Sequence, residues 1–291
     1  MAQFPPPGLE EEDTGDDDSL IKRFTTRMLL QIRKFCMQSK IDRERIISMG
    51  AIPKRVVITG NTKYDQTYAE VSEEERAKLR REFRFEGKGP IIVAGSTHGG
   101  EEEIVVRTFG KVLEKYPDAR LLLAVREITR AASVRFMIKH QGYTVLRRSK
   151  MGTDEDDGKD AQIVILDTIG ELGRLYSLAD VVFVGGSFVK VGGHNILEPA
   201  AHGKPVLVGP YMFNFQEIFE LLSQRGVCIM TPDEKSFETT LLDLLGNPEK
   251  MKKMGEAALE VVHENQGATE RNIASFEELV KEYGIKLREN A

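Results

Sequence analysis

The feature that most constrains the fold is a segment in which two apolar runs enclose a glycine-rich loop and a helix. The runs Val181–Val184 and Pro205–Val208 are apolar throughout, as in strands that are buried on both faces of a sheet. His194 and Asn195 are predicted to open the helix, and Gly203 to end it. A strand, a helix and a second strand in this order predict a parallel pair with a crossover connection.

The loop of this segment predicts an anion-binding site. It contains two glycine pairs, which let the backbone approach a ligand closely, and it leads into a helix N-terminus, where backbone N–H groups bind phosphate. Glu198 lies in the first turn, where a carboxylate suits the helix dipole and can reach a sugar hydroxyl. A tight turn with a good cap would explain one glycine pair, but four glycines with Asn195 and Glu198 favour a binding site.

The same alternation of apolar runs and amphipathic helices extends through most of the chain. It predicts an α/β fold with a Rossmann-like parallel sheet and helices on both faces. Ligands of such sheets bind beyond the carboxyl ends of the strands. Further strands are predicted at Phe35–Gln38, Val56–Thr59, Ile91–Ala94, Leu121–Val125, Tyr143–Leu146, Ile163–Leu166 and Val227–Met230, and further helices from Ser19 and at Ile41–Met49, Ser72–Phe83, Glu101–Tyr116, Thr129–His140, Gly170–Tyr176 and Phe215–Arg225.

Charge and cysteine content narrow the class of protein. Residues 10–18 carry seven acidic side chains, and without these seven negative charges the net charge of −5 becomes +2. The rest of the chain therefore lacks the basic stripe that nucleic-acid binding needs, and residues 1–18 are expected to be a disordered acidic tail. Cys36 and Cys228 lack metal-ligand spacing and suit a reducing compartment such as the cytoplasm. No apolar run approaches the roughly 18–20 residues of a membrane span.

Polar groups are predicted to meet at the carboxyl edge of the sheet. A guanidinium, two helix N-termini and several carboxylates are what a nucleotide site requires. Arg126 as a surface residue paired with a helix acid, and Glu171 as a charge at a helix start, remain alternatives. The edge groups are Ser96, Thr97 and His98 in the loop Gly95–Gly100, then Arg126, then Ile169, Gly170 and Glu171, and then Asn195 to Glu198.

Motifs of other nucleotide, metal and hydrolase sites are missing from the sequence. It contains neither a P-loop pattern nor the G-x-G-x-x-G dinucleotide pattern. His98 and His194 belong to no H-x-x-x-H or H-E-x-x-H pair, so no metal site is predicted. No motif indicates a Ser-His-Asp or a Cys-His arrangement.

Several motifs, in order from about Phe35 to about Val280, resemble the 3-deoxy-D-manno-octulosonic acid (Kdo) transferases. The resemblance implies the C-terminal half of a two-domain GT-B glycosyltransferase. It also implies a metal- and cofactor-free reaction that moves Kdo, with inversion, from CMP-Kdo to a lipid A precursor in lipopolysaccharide biosynthesis, at the cytoplasmic face of the inner membrane. The motifs are GNTKYD (60–65), IVAGSTHGGEEE (92–103), IGELGRLY (169–176), FVGGSFVKVGGHNILEPAAHGKPVLVGP (183–210), FNFQEI (213–218) and NQGA (265–268).

The resemblance also assigns residues to roles. The family's charge-stabilising lysine falls on Lys63, and its Pro-Arg contact to CMP falls on Val125 and Arg126. Val125 replaces the usual proline, and Glu127 replaces the usual histidine. The donor-binding residues expected in all are Ser96, Thr97, His98, Arg126, Ile169, Gly170, Glu171, Gly186, Gly193, His194, Asn195, Ile196, Leu197 and Glu198.

The resemblance divides the chain into the tail 1–18, a remnant of an N-terminal domain with a linker at 19–60, and a donor-binding domain at 61–291. In the family, the domain ahead of the matched segment carries the catalytic glutamate, so no residue here is assigned as the general base. The chain alone is expected not to transfer Kdo, and a separate chain with the N-terminal half is a possible partner. A non-catalytic CMP-binding protein, one half of a split enzyme, and a GT-B enzyme using another nucleotide sugar remain alternatives.

Overall fold

The computed structural model describes residues 17–66, 70–87, 89–154, 156 and 160–285. The chain divides into two compact units, one formed by residues up to 65 with those from 265 onward, the other by residues 66–264. The division after residue 60 that the sequence suggests stays a prediction about the family's two domains. Within the described ranges, no helix is long and apolar enough to cross a membrane.

The first unit contains a small parallel sheet and three helices. Strands β1 and β2 pair in parallel, with Phe35 opposite Val56, and these two residues form a small core with Leu29 and Ala51. The helix and strand predicted between Ser19 and Gln38 are both present. The elements of the first unit are α1 (Asp17–Gln31), β1 (Phe35–Met37), α2 (Lys40–Ser48), β2 (Val56–Ile58) and α11 (Ala268–Glu282).

The predicted acidic tail needs a correction at its end. Residues 1–16 lie outside the described residues, but Asp17 and Asp18 already belong to α1. The helix therefore begins inside the acidic block, two residues before Ser19.

The second unit is built on a sheet of seven parallel strands. Their order across the sheet is β5-β6-β4-β3-β7-β8-β9. The strands are β3 (Ile91–Thr97), β4 (Arg120–Val125), β5 (Val145–Arg147), β6 (Ile163–Leu166), β7 (Val181–Val184), β8 (Val206–Val208) and β9 (Cys228–Met230). The helices are α3 (Glu73–Glu82), α4 (Glu101–Lys115), α5 (Ala131–His140), α6 (Leu172–Leu175), α7 (Leu197–Ala201), α8 (Gln216–Gln224), α9 (Glu234–Leu245) and α10 (Pro248–Glu264).

Both faces of this sheet are buried. Ile92 and Ala94 of β3 belong to the main apolar cluster, which also includes side chains of α4, α5 and α9. Ile91 and Val93 lie outside that cluster but are at most 1% exposed. Because successive side chains of a strand point to opposite faces, the second pair is covered on the other face. This two-sided burial is the reason why the strands are apolar without interruption.

The strand order places a crevice between β3 and β7. From β3 the chain continues to β4 on one side, and it later returns to β7 on the other side. Adjacent strands whose connections lead in opposite directions form a topological switch point, and ligands of open parallel sheets bind there, beyond the carboxyl ends of the strands. The segments that follow β3 and β7 are the two glycine-rich segments singled out in the sequence.

Two predicted boundaries are wrong next to this crevice. Strand β3 continues to Thr97, although Gly95 and the two residues after it were expected in a loop. Gly95 pairs with β7, Thr97 pairs with Val125 of β4, and the register shift between them places Ser96 at φ 55°. Pairing on both sides therefore extends the strand beyond its apolar run.

Helix α7 begins at Leu197 instead of His194 and has only five residues. Gly192 and Gly193 precede it with φ values of 100° and 77°, which a right-handed helix does not allow. The Asn195 side chain accepts the Leu197 N–H at 3.0 Å, which favours a turn over an additional helical turn. Most of the predicted N-terminal end is therefore a loop.

Gly95 is required by close packing, and this generates a prediction. A Cβ atom at this position would lie 2.0 Å from the hydroxyl of Tyr176. We expect Gly95→Ala to lower the free energy of unfolding by about 1–3 kcal/mol in urea titrations, because of overpacking. Adding Tyr176→Phe to this variant should restore part of the lost free energy of unfolding, because it removes the hydroxyl. Gly87→Ala is the control, since a Cβ at Gly87 meets nothing within 4 Å. An equal loss in both single variants would contradict this explanation.

Candidate functional site

The segments after β3 and β7 meet through their histidines. The Nε2 atoms of His98 and His194 lie 2.8 Å apart, and the two rings are nearly parallel, with centroids 5.1 Å apart. Burial, together with the neighbouring His98 and Arg126, lowers the pKa of His194 to about 4. His194 is therefore neutral at pH 7, and the short contact is a hydrogen bond in which one imidazole donates and the other accepts.

A buried carboxylate joins the same two segments. Glu101, the first residue of α4, is 0% exposed. Its oxygens accept the N–H groups of Gly186 at 2.7 Å, Ser187 at 3.0 Å and Phe188 at 2.8 Å, and the N–H of His98 at 2.9 Å. The N–H of Gly186, expected to be available to a ligand, is thus already bonded within the chain. The three residues that follow Gly185 therefore offer no free N–H group to a ligand.

Three consecutive unbonded N–H groups lie just before α7. In the part of the chain that the structure describes, the N–H groups of His194, Asn195 and Ile196 have no hydrogen-bond acceptor. The side chains of Ile196 and Leu197 are completely buried, so these two residues are available to a ligand only through their backbone. Residues 194–196 are therefore the part of the predicted anion-binding loop that presents three consecutive unbonded N–H groups directly before α7.

Glu198 lies beside these N–H groups. Burial raises the pKa of Glu198, and the hydrogen bond from Asn195 Nδ2 to its Oε1, at 3.1 Å, acts in the opposite direction. Its other oxygen lies 3.9 Å from the position of a Cβ on Gly173, so Glu198 also faces the segment after β6. Tyr176 of that segment is 2% exposed, and burial and the charge of Glu198 both raise its pKa.

The donor-binding residues predicted at the end of β3 and just after it differ in their burial. Ser96 and His98 are only partly buried, whereas Thr97 is completely buried. The Thr97 hydroxyl donates toward Glu102 Oε1 at 3.3 Å, or toward the carbonyl of Ala124 at 3.4 Å. Thr97 therefore supports the segment from inside and does not present its hydroxyl to a ligand. This inward position of the hydroxyl differs from the donor-binding contact that the sequence predicts for Thr97.

Glu171 belongs to an ion-pair network that the sequence did not indicate. Burial alone would raise the pKa of Glu171, but hydrogen bonds from Arg148, Thr168 and Arg174 hold it below its usual range. Arg148 Nη2 lies 2.9 Å from Glu171 Oε1, and the Arg148 guanidinium lies over the ring of Phe83. Arg148 lies in a polar stretch without a motif, so no signal marked it as a partner.

In residues 169–171, the exposed backbone is therefore the part that is available to a ligand. Ile169 is 88% exposed, and Gly170 follows it with a φ of 88°. Because the Glu171 carboxylate is bonded to Arg148, we expect a ligand to meet residues 169–171 mainly through backbone groups and the Ile169 side chain.

Arg126 is an exposed cation next to the histidine pair. Its N–H donates to the carbonyl of Thr97 at 2.9 Å, which fixes its backbone at the end of β4. The alternative that it pairs with a helix acid is not found, because its guanidinium forms no ion pair with any residue in the described ranges. Its charge nevertheless acts on His194, so the guanidinium lies close to the crevice.

Lys63, the predicted charge-stabilising residue, belongs to the first unit. It lies in a 3₁₀ turn, Thr62–Asp65, where its N–H donates to Asn61 Oδ1 at 2.9 Å. The carboxylate of Asp65 accepts the N–H groups of Gly267 and Thr269 at the start of α11, which holds the turn in place. The role of Lys63 stays a prediction. The described residues contain no cluster of three or more histidine, cysteine or acidic side chains suited to a metal ion.

Two family models match the sequence. The model described as 3-deoxy-D-manno-octulosonic-acid transferase (kdotransferase) matches residues 12–66, and the model of the glycosyl transferases group 1 matches residues 148–261. A 3-deoxy-D-manno-octulosonic acid transferase of Haemophilus influenzae is 36% identical over 252 residues, which are 86% of this chain and 58% of that protein. The transferase of Aquifex aeolicus is 31% identical over 74% of this chain and 55% of its own length. The chain thus spans little more than half the length of these relatives.

Solved structures share the fold. The C-terminal CMP-Kdo binding domain of WaaA from Acinetobacter baumannii is 27% identical, with a TM-score of 0.58 over 65% of this chain and 96% of that domain. A glycosyltransferase from Rickettsia africae is 15% identical, with a TM-score of 0.58 over 92% of this chain and 68% of its own. The predicted fold class, an α/β parallel sheet of the C-terminal GT-B type, is confirmed.

The histidine pair predicts an unusual titration. In an NMR pH titration we expect the His194 imidazole to protonate near pH 4, and His98→Ala to move this midpoint toward the ordinary value of 6.5. Since the folded state resists protonation, the stability that His194 contributes is complete above pH 6.5 and is lost as the pH falls toward 4. His140→Ala is the control, because His140 lies on the exposed side of α5. A midpoint near 6.5 in the wild type would refute the neutral state assigned to His194.

Proposed function

Because the chain belongs to the 3-deoxy-D-manno-octulosonic acid transferase family, we propose that it binds CMP-Kdo at the carboxyl edge of its sheet, as the donor-binding part of a Kdo transferase. One observation supports this most directly: among the described residues, N–H groups without an acceptor at 194–196, the Glu198 carboxylate and an Arg126 guanidinium without an ion pair all lie beyond the carboxyl ends of neighbouring strands, next to His194. The related Acinetobacter baumannii domain is described as a CMP-Kdo binding domain. A nucleoside monophosphate joined to a sugar supplies a phosphate for the N–H groups and the guanidinium, and hydroxyls for the carboxylate.

Each group has a role in this proposal. The phosphate accepts hydrogen bonds from the N–H groups of residues 194–196 and from the guanidinium of Arg126, both of which favour an anion. Glu198 accepts a hydroxyl of the ribose. The exposed backbone at residues 169–171 contacts the cytosine. The neutral His194 adds no second positive charge, so Arg126 is the principal cation for the phosphate.

The reaction proposed for the complete enzyme is a direct displacement. A hydroxyl oxygen of a lipid A precursor bonds to the anomeric carbon of Kdo, the bond from that carbon to the phosphate oxygen breaks, and CMP leaves. A base takes the hydroxyl proton, and the configuration inverts without a metal ion or cofactor. In this proposal Arg126 and the loop N–H groups stabilise the negative charge on departing CMP. The base is assigned to no residue of this chain, and the lipid acceptor places the reaction at the inner-membrane surface.

Arg126 provides the test of this proposal. By calorimetry we expect Arg126→Ala to weaken CMP binding by about 10- to 100-fold, the range for a lost charge-assisted hydrogen bond, and cytidine binding far less. Arg126→Lys should also bind CMP more weakly than the wild type, because an ammonium cannot replace the bidentate guanidinium. Arg135→Ala, on the exposed side of α5, is the matched control.

Three results would count against this assignment. Equal losses for CMP and cytidine would make Arg126 structural. Tighter binding of UMP than CMP by the wild type would favour a GT-B enzyme with another nucleotide sugar. No binding of CMP by the wild type would contradict the proposed function itself.

A further inference from the structure

The carboxylate of Glu101 has an unusual position for a charged group. It is 0% exposed, and no ion pair joins it to a cation among the residues that the structure describes. Its negative charge is balanced by four backbone N–H groups and by its place in the first turn of α4, a helix of 15 residues. The adjacent Glu102 differs, because it is equally buried but paired with Arg130 at 2.8 Å.

Three of the four N–H groups form an anion-binding nest. Gly186, Ser187 and Phe188 are consecutive, they are separated from β7 only by Gly185, and they converge on one carboxylate. Consecutive N–H groups at the carboxyl end of a strand, at a topological switch point, are a common phosphate-binding arrangement in parallel sheets. In this chain a carboxylate of the protein itself occupies that arrangement.

A second set of N–H groups lies next to the nest. The N–H of Gly193 donates to the carbonyl of Gly186 at 2.8 Å, so residues 194–196 begin one residue from this contact. His98 joins both places, because its N–H donates to Glu101 and its ring contacts His194. The crevice therefore offers unbonded donors for one anionic group, directly beside a fixed negative charge.

We propose that Glu101 makes this site selective for a donor with a single phosphate, because its carboxylate fills the nest that a second phosphate would use. The inference rests on the proposed function and concerns the same site. Glu101 acts through the loop that it holds and does not touch the ligand, so it is a positioning residue. A nucleoside diphosphate would bring its additional charge toward a carboxylate that cannot move away without breaking four hydrogen bonds.

The experiment titrates the full 291-residue chain with CMP and with CDP in the same buffer. We expect the wild type to bind CMP at least about 10-fold more tightly than CDP, a difference of about 1.4 kcal/mol. Glu101→Gln removes the charge and keeps the shape of the side chain. It should reduce the ratio of the CMP affinity to the CDP affinity at least about threefold, mainly through tighter CDP binding. Glu103→Gln, in the same turn but outside the nest, should leave the ratio unchanged.

A second variant tests the nest without a nucleotide. In Glu101→Ala a carboxylate from solution can take the N–H groups, so acetate should raise its melting temperature above that in chloride at equal ionic strength, and should not do so for the wild type. Equal affinities of the wild type for CMP and CDP would overturn the proposal, as would an unchanged ratio in folded Glu101→Gln or no acetate effect in Glu101→Ala. Failure of the wild type to bind CMP at all would instead remove the proposed function on which the inference rests.

Discussion

One buried carboxylate connects the two strand ends between which the site forms. Glu101 follows β3, its hydrogen-bond donors follow β7, and these are the strands at which the connections of the sheet reverse. A buried charge without donors is costly, so the four N–H groups must stay in place as long as Glu101 is ionised. Gly185 adds a steric condition, since a Cβ there would lie 2.5 Å from the carbonyl oxygen of Ser96. The loop after β7 is therefore held close against the end of β3.

The electrostatics of the crevice follow from the same packing. Burial lowers the pKa of His194 and raises that of Glu198, so both shifts favour the uncharged forms. Glu171, in contrast, is held ionised by Arg148, and its charge is compensated within the chain. Arg126 is a cation whose charge is not compensated by an ion pair in the described part of the site. A ligand that brings one phosphate and a sugar fits this balance.

The sequence was sufficient for the elements whose residues determine their own environment. Strands β6 and β7 have the predicted bounds, Ile163–Leu166 and Val181–Val184, because unbroken apolar runs fit only positions buried on both faces. Apolar periodicity does not show where the other two elements end. Pairing with both neighbouring strands extends β3 to Thr97, whereas two glycines at positive φ and the turn at Asn195 delay the start of α7 to Leu197. Both differences lie where the backbone departs from ideal geometry, at Ser96 and at Gly192 and Gly193.

The site was only partly predictable for a related reason. Motifs identified the segments around Arg126, Glu171 and Glu198, but not which atoms are available within them. Three acids begin α4, and no local signal distinguishes the one that enters the nest from its neighbours. A glycine pair and a serine directly after a buried strand, facing a run of acids, is the pattern that would have suggested it. The partner of Glu171 lies 23 residues earlier in the chain, and only the fold brings it close.

The most direct measurement is a crystal structure of this chain with CMP bound. We expect the phosphate to bind to the N–H groups of residues 194–196 and to Arg126, with a ribose hydroxyl on Glu198. We also expect Glu101 to keep its hydrogen bonds to Gly186, Ser187 and Phe188. A phosphate bound to the N–H groups of residues 186–188, with Glu101 displaced into solvent, would contradict the role proposed for Glu101.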